Sequence, residues 1–318
     1  MTMTLPQSRA LEILASAPGV TRLSDNERAL MTVRCRDADH IEKVPDAGSL
    51  RQLEDGRGVQ VMHNGVLVEA GGYFGAWTAY IIRELRGHHE PQEEKVFHEV
   101  LQRIPAGGSM IELGCFWAYY SLWFHQKIAG ARNVCCEPDP ANLALGARNA
   151  ALNGASMELL PGVVGQVHGT PVSFVTEVDR RVVTLPVVTV DGLMVERGWE
   201  RLDLLHLDVQ GAELDALRGA RGAIRSGSLR FVFVSTHHWS ISGNPDIHAD
   251  CLRFFERYGG HVVASHTVAE SYSGDGLIVA SFDAADTDFH VETSLNHTDQ
   301  SLFRPYEEDL AILARALA

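Results

Sequence analysis

Asp208 closes one apolar run, Leu204-Leu205-His206-Leu207, and His237-His238 close another, Phe231 to Thr236. Such runs read as buried strands, and in a parallel sheet their ends can be neighbours. A carboxylate and an imidazole meeting there allow three readings. The histidine acts as general base and Asp208 orients it. Alternatively, Asp208 and a histidine bind a divalent cation such as magnesium, which also holds an acceptor oxygen. In the third reading the histidines are hydrogen-bonded structural residues. Strand neighbours face opposite ways, so only one of His237 and His238 is expected to point into a cleft. The sequence leaves open which one.

Two further carboxylates sit 25 positions apart. Glu112 lies in the run Met110 to Leu113, and Glu137 ends Asn133-Val134-Cys135-Cys136. Gly114 follows the first run, but the stretch is not G-x-G-x-x-G, so a pyrophosphate cradle is poorly supported. An acid at the second strand end can accept hydrogen bonds from both ribose hydroxyls. Together these residues suit a nucleoside without a pyrophosphate, which is the demand of S-adenosylmethionine. Cys115, Trp117 and Tyr119 beside Gly114, and Pro138 beside Glu137, are the expected further neighbours of such a cofactor, as is Asp208. The plainer reading has Glu112 capping the next helix and Glu137 solvated.

Candidates for the acceptor side are more scattered. Glu90 and Glu93 precede the first strand, where an acidic helix N-terminus stabilised by its dipole is an equal explanation. Trp239 opens a Gly/Ser/Asn loop after the histidine pair. Asp275 lies between two glycines and is also ordinary turn chemistry.

The elements that must position these residues alternate. Strand-like runs at 110–113, 133–137, 157–164, 182–190, 202–209 and 231–235 are separated by helical patterns at 117–128, 141–153, 191–197 and 213–225. A further helix, 247–258, precedes strands at 261–265 and 277–281, which need an antiparallel pairing. This spells α/β: a doubly wound, mostly parallel, Rossmann-like sheet ending in an antiparallel strand. Residues 1–87 read as an extension with short helices, the first stopped by Pro18-Gly19, and a β-hairpin turning at His63-Asn64-Gly65. Residues 88–285 form the main domain. A tail, 286–318, ends in a short helix at 306–317.

Composition narrows the partners. The 318-residue chain has 41 acidic against 27 basic side chains, a formal charge of −14. A large nucleic-acid footprint or an anionic membrane surface is a poor match. No run of 18 apolar residues suggests a membrane span, and Met1 to Gly19 does not read as a signal peptide. Five cysteines without a C-x-x-C pair fit buried thiols in a reducing, cytoplasmic setting.

Three blocks now appear in order: Ile111 to Ser121; Cys136-Glu137-Pro138-Asp139-Pro140 with Asn149 and Asn153-Gly154; and Leu205 to Glu213 with Leu217-Arg218-Gly219-Ala220. Together they resemble the FkbM-type class I methyltransferases, over about residues 88–281. The family usually has glycine where this chain has Ala118, which narrows the loop around the methionine part of the cofactor. It usually has an acid where this chain has Gln210. The resemblance implies S-adenosylmethionine as methyl donor. It also implies transfer to oxygen, commonly a hydroxyl of a small acceptor such as a sugar or natural-product scaffold. The extension is then expected to cover the acceptor pocket or to form a homodimer contact. The rivals are a degenerate methyltransferase fold used as a binding or scaffold subunit, and a nicotinamide-dependent oxidoreductase.

Overall fold

The computed structural model describes residues 7–17, 23–296 and 302–318. The apolar runs pair into one seven-stranded sheet. Its strands are β1 (Ser109–Leu113), β2 (Arg132–Glu137), β3 (Glu158–Pro161), β4 (Leu202–Leu207), β5 (Leu229–Thr236), β6 (His261–His266) and β7 (Gly276–Ser281). Their spatial order is β3-β2-β1-β4-β5-β7-β6. β7 runs antiparallel to both neighbours, and the remaining pairs are parallel. Chain order reverses between β1 and β4, so the crevice for a ligand opens at their carboxyl ends.

β1, β4 and β7 are buried along their whole length. That explains their unbroken apolar sequence: helices cover both faces of the sheet. One face packs Met110, Leu204, Phe231 and Phe233 against Phe97, Trp123 and Phe124. The other packs Ile111, Leu205, Leu207 and Val232 against Leu217, Cys251 and Phe255. All five cysteines are buried free thiols. Among the described residues, no helix is long and apolar enough to cross a membrane.

The extension shares the first of these cores through Ile41, Met62, Val66 and Ile82. It contains helices Asp25–Thr32, with Ser24 and Glu27 forming a capping box, and Ala76–Glu84. Between them, Leu50–Gln52, Gly58–Val61 and Leu67–Glu69 form a three-stranded antiparallel sheet. Two asparagines of the second sequence block dock its last strand. Asn149 Oδ1 accepts from Glu69 N at 2.8 Å, and Asn153 both accepts from Leu67 N and donates to Leu67 O. The first helix is Gln7–Ser16; the expected Pro18-Gly19 stop lies outside the described residues. The last helix, Tyr306–Leu317, has the bounds the sequence suggested.

Two strands escaped the sequence reading: Leu50–Gln52, which adds a third strand to the expected hairpin, and one further along the chain. Pro171–Val175 is a strand that pairs antiparallel with Val182–Val188, making a hairpin between β3 and helix Val190–Glu196.

Candidate active site

A cavity of about 240 Å³ opens at the carboxyl ends of β1, β2 and β4. Gly114, Glu137, Pro138 and Asp208 line it, as the sequence suggested. The turn after β1 explains Gly114. Its φ is +80°, and a Cβ there would lie 1.8 Å from the Asp208 carbonyl oxygen. Phe116 and Ala118 also hold positive φ, 42° and 61°. Ala118 therefore adopts the conformation a glycine would. Its methyl packs into a buried cluster with Cys115 and Cys135 and does not line the cavity, so the expected narrowing does not occur.

Glu137 is buried, and its carboxylate accepts from Phe116 N at 3.1 Å and Asp139 N at 2.9 Å. Burial outweighs these bonds and pushes its pKa up to about 7. A carboxyl poised there gives a pH dependence. The acid form has lost the charge that ribose hydroxyls donate to, so nucleoside affinity should fall as pH drops below 7 and level off at that of the neutral carboxyl. Titrating S-adenosylhomocysteine binding from pH 8 to 5.5 checks this. A Glu137→Gln variant should bind more weakly with a flat profile.

Several expected cofactor neighbours lie elsewhere. Glu112 is turned into the core, where it accepts from Ser121 N at 3.1 Å with His206 Nδ1 at 4.0 Å. It caps the next helix, the plainer of the two readings. Cys115 is buried beside Cys135. Trp117 stacks on Tyr73 of the extension at 4.4 Å, and the Tyr119 hydroxyl meets His63 Nδ1 at 2.9 Å. None of the four lines the cavity. The α-helical period turns most of this aromatic stripe inward. The cavity is lined instead by residues the sequence did not single out, among them Asn142, Gly162, Phe174 and Glu177.

The strand-neighbour rule resolves the histidine pair. His237 faces Asp208, with Nε2 3.1 Å from Asp208 Oδ1 and 3.8 Å from Asp275 Oδ1. Its Nδ1 meets Glu213 Oε1 at 2.7 Å. His238 points away and stacks on Phe303 at 4.1 Å, so its candidacy as a catalytic or metal-binding residue is corrected. Trp239 is also drawn off, since its Nε1 donates to Asp309 of the tail helix. Burial favours the neutral form of His237, but Asp275, Asp208 and Glu213 outweigh it and hold its pKa well above the usual imidazole value. The side chain is an imidazolium donating from both nitrogens. With a carboxylate at each nitrogen, His237 is placed to orient Asp208. Burial likewise opposes ionisation of Asp208, yet His237 wins and keeps that carboxyl below its usual value.

Asp208 and His237 bring two ligand atoms within 3.1 Å, and among the described residues no third His, Cys or carboxylate completes a compact set with them. Among the described residues, only His63, His88 and Glu94 bring three ligand atoms within 4.8 Å of one another. That set lies outside the cavity, and its two imidazoles are stacked at 4.2 Å and 16°. Their in-plane lone pairs run nearly parallel and do not converge on one ion.

Glu93 and Glu90 come from helix Pro91–Leu101 and its cap. Glu93 is buried between His206 Nε2 at 2.7 Å and the Ser235 hydroxyl at 3.1 Å, a structural position. Glu90 accepts from the Tyr120 hydroxyl and borders a narrow gap with Tyr73, Phe74 and Arg28 of the extension. Asp275 lies between His237 and Arg28, whose Nη2 is 3.5 Å away. The extension thus reaches the same edge as Asp208 and Asp275.

The FkbM methyltransferase domain matches residues 99–262, just over half the chain. The chain belongs to the FkbM methyltransferase family. Family and sheet topology together support S-adenosylmethionine as its methyl donor. No curated protein matches the chain. Similar solved structures include an O-methyltransferase from Bacillus cereus in complex with S-adenosylhomocysteine, 15% identical, TM-score 0.38, covering 60% of this chain and 80% of that one. Magnesium protoporphyrin IX methyltransferase from Synechocystis is 11% identical, TM-score 0.38, covering 59% of this chain and 76% of that one. A methyltransferase from Aquifex aeolicus is 11% identical, TM-score 0.36, covering 60% and 89%.

Proposed function

We propose that this FkbM-family protein is an O-methyltransferase that moves the sulfonium methyl of S-adenosylmethionine to a hydroxyl of a small, uncharged acceptor. The observation that carries the reading is Asp208, which lines the nucleoside-sized cavity on one side and meets His237 on the other. S-adenosylmethionine would lie with its ribose at Glu137 and its methionine end past Gly114. The acceptor hydroxyl would meet Asp208. In-line displacement then forms the O–C bond as the S–C bond breaks, and the proton passes to the Asp208 carboxylate. S-adenosylhomocysteine leaves uncharged at sulfur. His237 and Glu213 hold Asp208 ionised and aimed, and alignment supplies much of the acceleration. Glu90, Asp208 and Asp275 at the acceptor edge are paired with His89, His237 and Arg28, so none of these cations is free to neutralise a phosphorylated acceptor. The overall charge of −14 disfavours nucleic acid.

The test incubates the protein with methyl-labelled S-adenosylmethionine and a panel of neutral polyols, glycosides and phenols. Label should move to oxygen, and Asp208→Asn should cut the rate at saturating S-adenosylmethionine at least 100-fold. Chelator treatment followed by magnesium should leave turnover unchanged. Tight cofactor binding with no transfer to any class of acceptor would favour the scaffold alternative.

A further inference from the structure

The hairpin Pro171–Val175/Val182–Val188 is folded over the nucleoside cavity. Its tip is fastened to Asp139, two residues past the Glu137 strand end. Asp139 Oδ2 accepts from Glu177 N at 2.7 Å and Val178 N at 3.1 Å, while Oδ1 caps the next helix through Ala141 N. Asp139 is only 1% exposed, so this latch is shielded from water. Inside the tip, the Thr176 hydroxyl donates to Asp179 Oδ1 at 2.6 Å and accepts from Arg181 N at 2.8 Å. The tip therefore has a fixed shape before any ligand arrives. It presents Phe174 and Glu177 to the cavity.

We propose that this hairpin is a base-reading clamp, in which Glu177 accepts a hydrogen bond from the exocyclic amino group of adenine. The inference rests on the cofactor reading above. The cavity has three carboxylates in its lining. Asp208 lies at the methionine end. Glu137 ends the second strand, at the ribose position. Glu177 is the carboxylate left for the base, and among the described residues no side-chain hydrogen bond occupies it. Partial desolvation at the cavity rim and the neighbouring Asp139 and Asp208 push its pKa up against the opposing charge of Arg180. The turn after β3, Gly162-Val163-Val164, carries no polar side chain that could do the same task. Phe174 supplies an apolar contact for the ring.

The test needs no acceptor. Binding of S-adenosylhomocysteine and of its deaminated analogue, S-inosylhomocysteine, is measured by calorimetry on wild type and Glu177→Gln. The analogue presents a carbonyl where adenine presents an amino group, and that carbonyl faces the Glu177 carboxylate. Wild type should prefer the adenine compound by about tenfold or more. In Glu177→Gln the preference should collapse to about threefold or less, because an amide can accept from one and donate to the other. The position is exposed at the cavity mouth, so the melting temperature should hold. If wild type binds the adenine compound and the preference is unchanged in the variant, the clamp is wrong and the cofactor reading stands. If wild type binds neither compound, both are wrong.

Discussion

Gly114→Ala should abolish S-adenosylhomocysteine binding, raising the dissociation constant at least 100-fold, and should lower stability by roughly 2–5 kcal/mol. Two penalties combine. An alanine at φ +80° is in left-handed backbone, and its Cβ would sit 1.8 Å from the Asp208 carbonyl oxygen. Backbone cannot rotate aside as a side chain can. Relief requires separating the end of β1 from the end of β4, which are tied there by Asp208 N donating to Leu113 O at 3.0 Å. Moving that junction moves Asp208 and the cavity floor together. Gly107→Ala is the control: its φ is +75°, but nothing lies within 4 Å of the added carbon. It should show the strain cost alone and bind normally. Calorimetry and thermal melts on both variants measure this. Normal binding by Gly114→Ala would mean that the cofactor sits elsewhere.

The contrast between those two glycines also shows what a sequence conveys. Gly114 was legible because it follows an apolar run and precedes a helix, a local pattern with few solutions. The inner strands β1, β2, β4, β5 and β7 were legible for the same reason, since burial on both faces forces unbroken apolar runs, whereas β3 and β6 at the sheet edges are partly exposed. Glu112 was not. A carboxylate at a strand end faces either the crevice or the next helix, and one residue of pleat decides between them. The His237-His238 pair posed the same problem, and there alternation correctly required that one of them be lost to the site. The charge state of His237 was beyond reach, because its partners Glu213 and Asp275 are 24 and 38 positions away. The hairpin was missed for a different reason. Val172 and Phe174 flank a single polar residue, Ser173, in a strand of five, too short a pattern to stand out beside Gly165 and Gly169.

The second large effect lies away from the cavity, where the extension is held. Glu94 is fully buried, and one carboxylate serves His88 Nδ1, His89 Nδ1 and His89 N. His88 stacks on His63 of the extension, and His63 meets the Tyr119 hydroxyl just after the β1 turn. Burial resists charge on His89, but Glu90 and Glu94 overcome it and lift its pKa to about 10. Burial also opposes ionisation of Glu94, and the two histidines reverse that, holding it well below the usual carboxylate range. Glu94→Ala should therefore leave the buried His89 imidazolium with Glu90 as its remaining carboxylate and cost about 3–5 kcal/mol. Glu94→Gln, which keeps the volume and one acceptor, should cost less.

The pH dependence separates charge from packing. A histidine whose pKa is raised on folding stabilises fully below its unfolded value near 6.5 and loses that contribution as pH rises through about 10. Glu94, whose pKa is depressed, contributes above its unfolded value and loses that as pH falls. Wild type should therefore lose stability between pH 7 and 10, and Glu94→Ala should show a much shallower alkaline limb. Denaturant melts at pH 7, 8.5 and 10 measure the difference. Equal alkaline slopes would show that Glu94 only fills space. A steeper wild-type slope would make the ion pair the fastening between the extension and the helix leading into β1. The extension would then be a fixed wall of the acceptor edge, with Tyr73 and Arg28 held in place before an acceptor binds.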